Sequence, residues 1–389
     1  MNDFSFSFSG GLTTTALKRF LVYCHRQNVS DILLQGGGKI WVERYGRQIP
    51  VTDWSLEQFE LERVIDALFS TDVKTGIKQK KIINKALQLK GDSLNDIGLE
   101  RGEIVRFRAN FTQVTVYQEE AVMSVTLRVL NSKIPALDDL GLPEDLKKSL
   151  IPAAGLGLIC GETGSGKSTL QASMLQHSGE TVKDRKIITV ESPIEYILGG
   201  ENWIAPEPAQ SEIGRDVETF ADFISYSALR RSPKIIGVGE LLERNAFEAV
   251  LIAGKSGHFS TGTMHVKTCG DAIQRSLLMF PAEQREATGF DIMNVVSYII
   301  IQRLLKSKDG KRIAVREYII FDSATRKKIL EIPLKDWGKA IDQILMERKK
   351  TLVHEAWRLF ELGVIEEDEM IEVAGYMDYL ALKEGTYGN

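Results

Sequence analysis

The chain has 389 residues, enough for two or three domains that each bury a core. Its composition, 43% hydrophobic and 26% charged, is ordinary for a globular protein. A formal net charge of −4 supplies no general attraction to polyanions, so stable nucleic-acid binding is not expected.

The first residues, Met1-Asn2-Asp3-Phe4-Ser5-Phe6-Ser7, lack the positive region and apolar run of a signal peptide. No later stretch reaches the roughly 18 apolar residues of a spanning helix. The expectation is a cytoplasmic protein without a transmembrane segment, able to dock peripherally on a membrane complex. Leu17, Phe20, Leu21 and Cys24 fall at helical spacing, and Asp31-Ile32-Leu33-Leu34 and Ile40-Trp41-Val42 read as strands around a Gly36-Gly37-Gly38 turn. Residues 106–111 and 124–129 alternate as half-buried strands do, so 1–132 is expected to be an α+β domain. Ile134-Pro135 and Gly141-Leu142-Pro143 punctuate a linker over 133–148. From 149 to 333, short apolar strands alternate with helices, the mark of a parallel α/β sheet. After Pro333, apolar residues at helical spacing (Trp337, Ile341, Ile344, Leu345, then Leu352, Trp357, Phe360) predict a helical C-terminal region, 334–389. The cysteines Cys24, Cys160 and Cys269 lie far apart without CxxC spacing, which argues against a disulfide framework or a zinc site.

The strongest signal is Gly161-Glu162-Thr163-Gly164-Ser165-Gly166-Lys167-Ser168-Thr169, a full phosphate-binding loop. A buried strand, 155–160, precedes it, and Leu170, Met174 and Leu175 follow at helical spacing. Glycines let successive backbone N–H groups converge on phosphate oxygens, and the new helix directs its positive end at the same anion. Lys167 would reach the β- and γ-phosphates of ATP, and the Ser168 hydroxyl would ligate Mg²⁺.

Hydrolysis also needs a carboxylate beside the γ-phosphate. Lys234–Val238 is a short apolar strand followed by Gly239-Glu240, which makes Glu240 the candidate general base. A second strand ends in Glu191, a candidate for placing water or Mg²⁺, and a third, 259–264, ends in His265, a candidate γ-phosphate sensor. Strands of one parallel sheet release such residues along a single crevice at their carboxyl ends.

Four ordered stretches then match a family. Gly161–Thr169, Ile187–Glu195, Gly237–Glu240 and Gly257–His265 resemble the Walker A, Asp-box, Walker B and His-box motifs of the PilT/GspE-type secretion and pilus ATPases. Phe280-Pro281-Ala282-Glu283 resembles a fifth family segment. The resemblance covers about Ser30 to Glu317, and Gln210-Ser211-Glu212-Ile213 with the helical tail is most similar to the DotB and TraJ-type branch. It implies a RecA-like ATPase domain behind a PAS-like N-terminal domain, and a homohexameric ring. It also implies that Arg108 and Arg128 match arginines projected into the nucleotide site as arginine fingers, and that Arg215 and Arg230 match further family positions. Departures are Ser192 where many relatives have Asp, Leu242-Glu243 in place of the usual Arg-Asp, and Ala324–Leu330, a poor version of the retraction motors' AIRNLIRE segment. The expected function is a hexameric motor hydrolysing Mg-ATP for a type IVB-like conjugation or secretion machine, with inner-membrane components of that machine as partners. A pilus retraction motor and a low-turnover ATP-binding scaffold are the alternatives.

Overall fold

Alternation of apolar and polar residues builds one sheet in this protein, and continuous apolar runs build the other. The computed structural model describes residues 4–8, 10–44, 47–92, 97–117, 119–130 and 133–387. They fall into two units, Met1–Lys133 and Ile134–Asn389.

The first unit runs α1 (Thr14–Arg26), β1 (Asp31–Gln35), β2 (Trp41–Arg44), β3 (Arg47–Pro50), α2 (Gln58–Phe69), α3 (Asp72–Lys78), β4 (Ile83–Lys90), β5 (Ile104–Val116) and β6 (Glu119–Leu130). The strands form an antiparallel sheet in the order β3-β2-β1-β6-β5-β4. Side chains alternate between the faces of a strand. Ile32, Leu34, Phe107, Ala109, Phe111, Val125 and Leu127 are therefore buried in one core with Leu17, Phe20 and Leu21 of α1 and Leu61, Val64 and Ile65 of α2. Asp31, Arg128 and Arg108, the intervening residues, stand on the opposite face. Register pairs Asp31 with Arg128 and Arg128 with Arg108, so the three form a row across β1, β6 and β5.

The second unit opens with α4 (Glu144–Ser149), β7 (Gly155–Cys160), α5 (Lys167–Thr181), β8 (Ile187–Glu191) and β9 (Ala209–Glu212). It continues through the one-turn α6 (Phe220–Asp222), β10 (Ile235–Val238), α7 (Arg244–Lys255), β11 (Phe259–Met264), α8 (Cys269–Leu278) and α9 (Arg285–Val295). It closes with β12 (Val296–Lys306), β13 (Arg312–Ile320), α10 (Ser323–Leu330), α11 (Trp337–Glu347), α12 (Leu352–Glu361), α13 (Glu367–Ala374) and α14 (Tyr376–Lys383). Its sheet has the order β13-β12-β7-β11-β10-β8-β9, all parallel except the edge strand β13. β7, β10 and β11 are buried at every position, as a parallel sheet covered on both faces requires. Residues from α7, α8, α9 and α11 cover one face, and α4 and α5 cover the other.

Segment 133–148 is more than a spacer. It holds a short turn (Leu137–Leu140) and the start of α4, and it inserts Leu137 and Leu146 into the core beside α5. The C-terminal helices divide too. Trp337, Ile341, Ile344 and Leu345 of α11 join the main core, whereas α12–α14 form a separate apolar cluster on Leu305 and Val315 of the β12–β13 hairpin.

Candidate active site

β7, β11, β10 and β8 are neighbours, so the residues leaving their carboxyl ends stand side by side. From β7 the chain enters the loop Gly161–Gly166, in which Gly161, Gly164 and Gly166 have φ of +141°, +78° and +82°. Gly161 is constrained sterically as well. A Cβ there would lie 2.3 Å from the Gln302 carbonyl oxygen and 2.8 Å from Ser165 Oγ. Gly161→Ala is therefore predicted to lower stability by about 2–3 kcal/mol, measurable as a shift in denaturant midpoint.

The loop ends at Gly166, the N-cap of the 15-residue α5, where no side chain caps the first amides. Those N–H groups remain directed at whatever anion approaches. The Ser165 hydroxyl is buried without a hydrogen-bond partner. Lys167 is 7% exposed, and its ammonium donates to the carbonyls of Gly161 (2.9 Å) and Glu162 (2.7 Å). Burial lowers its pKa, while Cys160 and the carboxylates of Glu195, Glu240 and Glu162 oppose the shift. Glu162, Thr163 and Gly164 are exposed, and the Thr169 hydroxyl bonds the Tyr196 hydroxyl at 2.8 Å.

Glu191 closes β8. Its Oε1 accepts from Thr189 Oγ1 (2.7 Å) and Gln210 Nε2 (3.2 Å). Gln210 itself is fixed, donating to Tyr196 O (2.8 Å) and accepting from Leu198 N (2.8 Å). Burial raises the Glu191 pKa against these donors. Glu191, Ser168 and Gln210 line one small cavity.

Glu240 follows β10 on a backbone clamped from both sides. Gly239 N donates to Val190 O at 2.8 Å, Thr263 Oγ1 donates to Gly239 O at 2.5 Å, and Leu241 N donates to Thr263 O at 2.8 Å. A Cβ on Gly239 would lie 3.1 Å from Glu191 Cα, so glycine lets the two carboxylate-bearing strand ends approach. His265 follows β11 and is exposed on one side. Desolvation and then the Lys167 ammonium hold its pKa below the ordinary value and so favour the neutral imidazole, while the Glu240 carboxylate acts in the opposite direction. Lys167, Glu240 and His265 thus lie within electrostatic reach of one another.

Two supports for this site carry no sequence motif. Gln171 of α5 donates to Val238 O and Thr261 O (both 3.1 Å), tying the helix to the ends of β10 and β11. Gln302 of β12 donates to Ser165 O (2.7 Å) behind the loop. For Gln302 the one sequence signal is a polar residue directly after the apolar run Tyr298–Ile301.

Arg108 and Arg128 belong to the first unit and lie next to each other. Arg128 Nε donates to Asp31 Oδ1 at 2.9 Å with the guanidinium side chain 58% exposed, and Arg108 is half-buried opposite it. Arg215 instead pairs with Asp216 and Glu212.

No described helix is long and apolar enough to cross a membrane, and no group of three or more His, Cys, Asp or Glu among the described residues is placed to hold a metal ion by itself. Among solved structures, the Legionella pneumophila ATPase DotB is similar with a TM-score of 0.80 and 31% identity, covering 97% of this chain and 98% of that one. A crystal structure of the pilus retraction motor PilT with bound ADP is similar with a TM-score of 0.76 and 27% identity, over 92% of this chain and 97% of that one. In sequence, the type IV pilus retraction ATPase PilT of Pseudomonas aeruginosa is 29% identical over 325 residues, 84% of this chain and 88% of the relative. The seven-stranded unit accordingly has the RecA-like fold of secretion ATPases. The family described as type II/IV secretion system protein matches residues 16–328, most of the chain, and this protein belongs to that family of secretion and pilus motor ATPases.

Proposed function

We propose that the chain hydrolyses Mg²⁺-ATP at the carboxyl ends of β7, β8, β10 and β11 and works as a ring-forming motor. The observation that carries this reading is the convergence of three unlike groups at one crevice: an uncapped helix N-terminus that begins with Lys167, the Ser168–Glu191 cavity, and Glu240. The residues fit the nucleotide. Convergent amides and an unpartnered Ser165 hydroxyl supply donors for phosphate oxygens. Ser168 offers a ligand for Mg²⁺, which in nucleotide sites takes few protein ligands and completes its shell with phosphate oxygens and water. Glu240 accepts the proton of the attacking water, Glu191 orients water or the Mg²⁺ shell, and His265 in its neutral form donates to the terminal phosphoryl group. Arg108 and Arg128 supply positive charge that stabilises the transition state.

The machine proposed is a type IVB-like conjugative transfer or secretion apparatus, with the protein docked at the cytoplasmic side of the inner membrane through partners of that apparatus. The likeness to DotB over nearly the whole chain supports this branch. Pilus retraction by the same chemistry is the second reading, supported by the PilT relative.

Two measurements test the proposal. Phosphate release should require ATP and Mg²⁺ and stop when the metal is chelated. Mass measurement with a non-hydrolysable ATP analogue should show a hexamer. Metal-independent turnover would refute the hydrolytic assignment, and a monomer in every nucleotide state would refute the ring.

A further inference from the structure

Arg316 is a buried cation that the catalytic assignment leaves unused. It lies on β13, is 7% exposed, and its Nε donates at 2.7 Å to a neutral acceptor, Oε1 of Gln302. A charge buried against a neutral amide is costly, so such a group needs a reason. Burial pushes the guanidinium pKa down to about 10, with Glu355 of α12 acting in the opposite direction. Gln302 is 3% exposed and directly opposite Arg316 in the β12–β13 register.

The chemistry of the two side chains fixes their order. A glutamine amide has one donor end and one acceptor end, and a guanidinium has no acceptor. Arg316 can therefore face only Oε1, which turns Nε2 the other way, onto Ser165 O at 2.7 Å. Gln302 also fills the back of the phosphate loop. Cβ atoms on Gly161 and Gly166 would lie 2.3 Å from its carbonyl oxygen and 2.9 Å from its Nε2. In a planar trans peptide the C=O and the next N–H point in opposite directions. Holding Ser165 O backward toward Gln302 therefore aims the Gly166 N–H forward, into the concave side of the loop.

We propose that Arg316 is a positioning residue for phosphate binding: by fixing the direction of the Gln302 amide it holds the Ser165–Gly166 peptide with its N–H toward the nucleotide. The inference rests on the ATP-binding reading of that loop. It makes the β12–β13 hairpin, far from the loop in sequence, part of the nucleotide site.

The test is the affinity of fluorescently labelled ADP for the full chain. Arg316→Met should weaken it about tenfold, the loss of about one hydrogen bond's 1.4 kcal/mol. Arg316→Lys, which also only donates, should recover most of the affinity. Gln302→Glu is the decisive variant. Its carboxylate keeps Arg316 paired, so the chain should still fold cooperatively, yet it offers Ser165 O no donor and should weaken ADP about tenfold. Wild-type affinity in Gln302→Glu or in a folded Arg316→Met would overturn the proposal. Failure of the wild-type chain to bind ADP would instead overturn the reading beneath it.

Discussion

Glu240→Gln is expected to retain nucleotide and to slow phosphate release by about 10²–10⁴-fold, the range for removing a positioned general base. The candidate site contains two strand-end carboxylates, and their surroundings suit different roles. Glu191 has one oxygen occupied by Thr189 and Gln210 and shares its cavity with Ser168, which suits holding water or metal ligands in place. Glu240 stands on a backbone clamped by Val190 and Thr263 and shares an electrostatic neighbourhood with Lys167 and His265. Glutamine keeps the size and the acceptor oxygen but cannot take a proton. Parallel assays of labelled-nucleotide affinity and phosphate release separate the outcomes. Unchanged release in Glu240→Gln would remove this residue as the base, and a wild-type chain that binds without turnover would favour the scaffold reading.

Arg108→Ala and Arg128→Ala are each predicted to cut turnover by about 10³-fold or more, as removal of an arginine finger does. Two arginines directly opposite in an antiparallel pair repel, and such pairs are destabilising. Asp31 relieves part of this by taking Arg128 Nε, which also orients the exposed guanidinium. An arrangement that works against local stability on an open sheet face is the kind retained for function. Arg128 is exposed but Asp31 is buried, so Arg128→Ala takes a donor from a buried carboxylate and should cost about 1–3 kcal/mol while the chain still folds. Steady-state kinetics with a melting curve checks both halves. Normal turnover in both variants would end the finger assignment.

Features set by neighbours in sequence were legible before the structure. The β7–loop–α5 unit needs only an apolar run, glycines at positive φ and a following helix, all within 155–175. Glu191, Glu240 and His265 followed from one topological rule, that parallel strands release functional residues at the same edge. The parallel strands observed there are β8, β10 and β11. What escaped the sequence depends on register between distant segments. Gln302 lies 137 residues from the serine it supports, and nothing before the β12–β13 pairing places Arg316 opposite it. The row Asp31–Arg128–Arg108 has the same origin, since alternation gives each residue's face but not which residues oppose one another. Punctuation by Pro and Gly suggested a linker at 133–148, yet Leu137 and Leu146 pack into the core. Helical spacing after Pro333 predicted helices, but only packing shows that α11 belongs to the main core and α12–α14 to a cluster of their own.

Equilibrium binding of fluorescently labelled ATP to the purified chain, beside Lys167→Ala, addresses the central claim most directly. The account predicts saturable binding at one site per chain, weakened about a hundredfold by the loss of a charged hydrogen-bonding group. A folded wild-type sample that shows no saturable binding, or a Lys167→Ala variant that binds equally well, would contradict it.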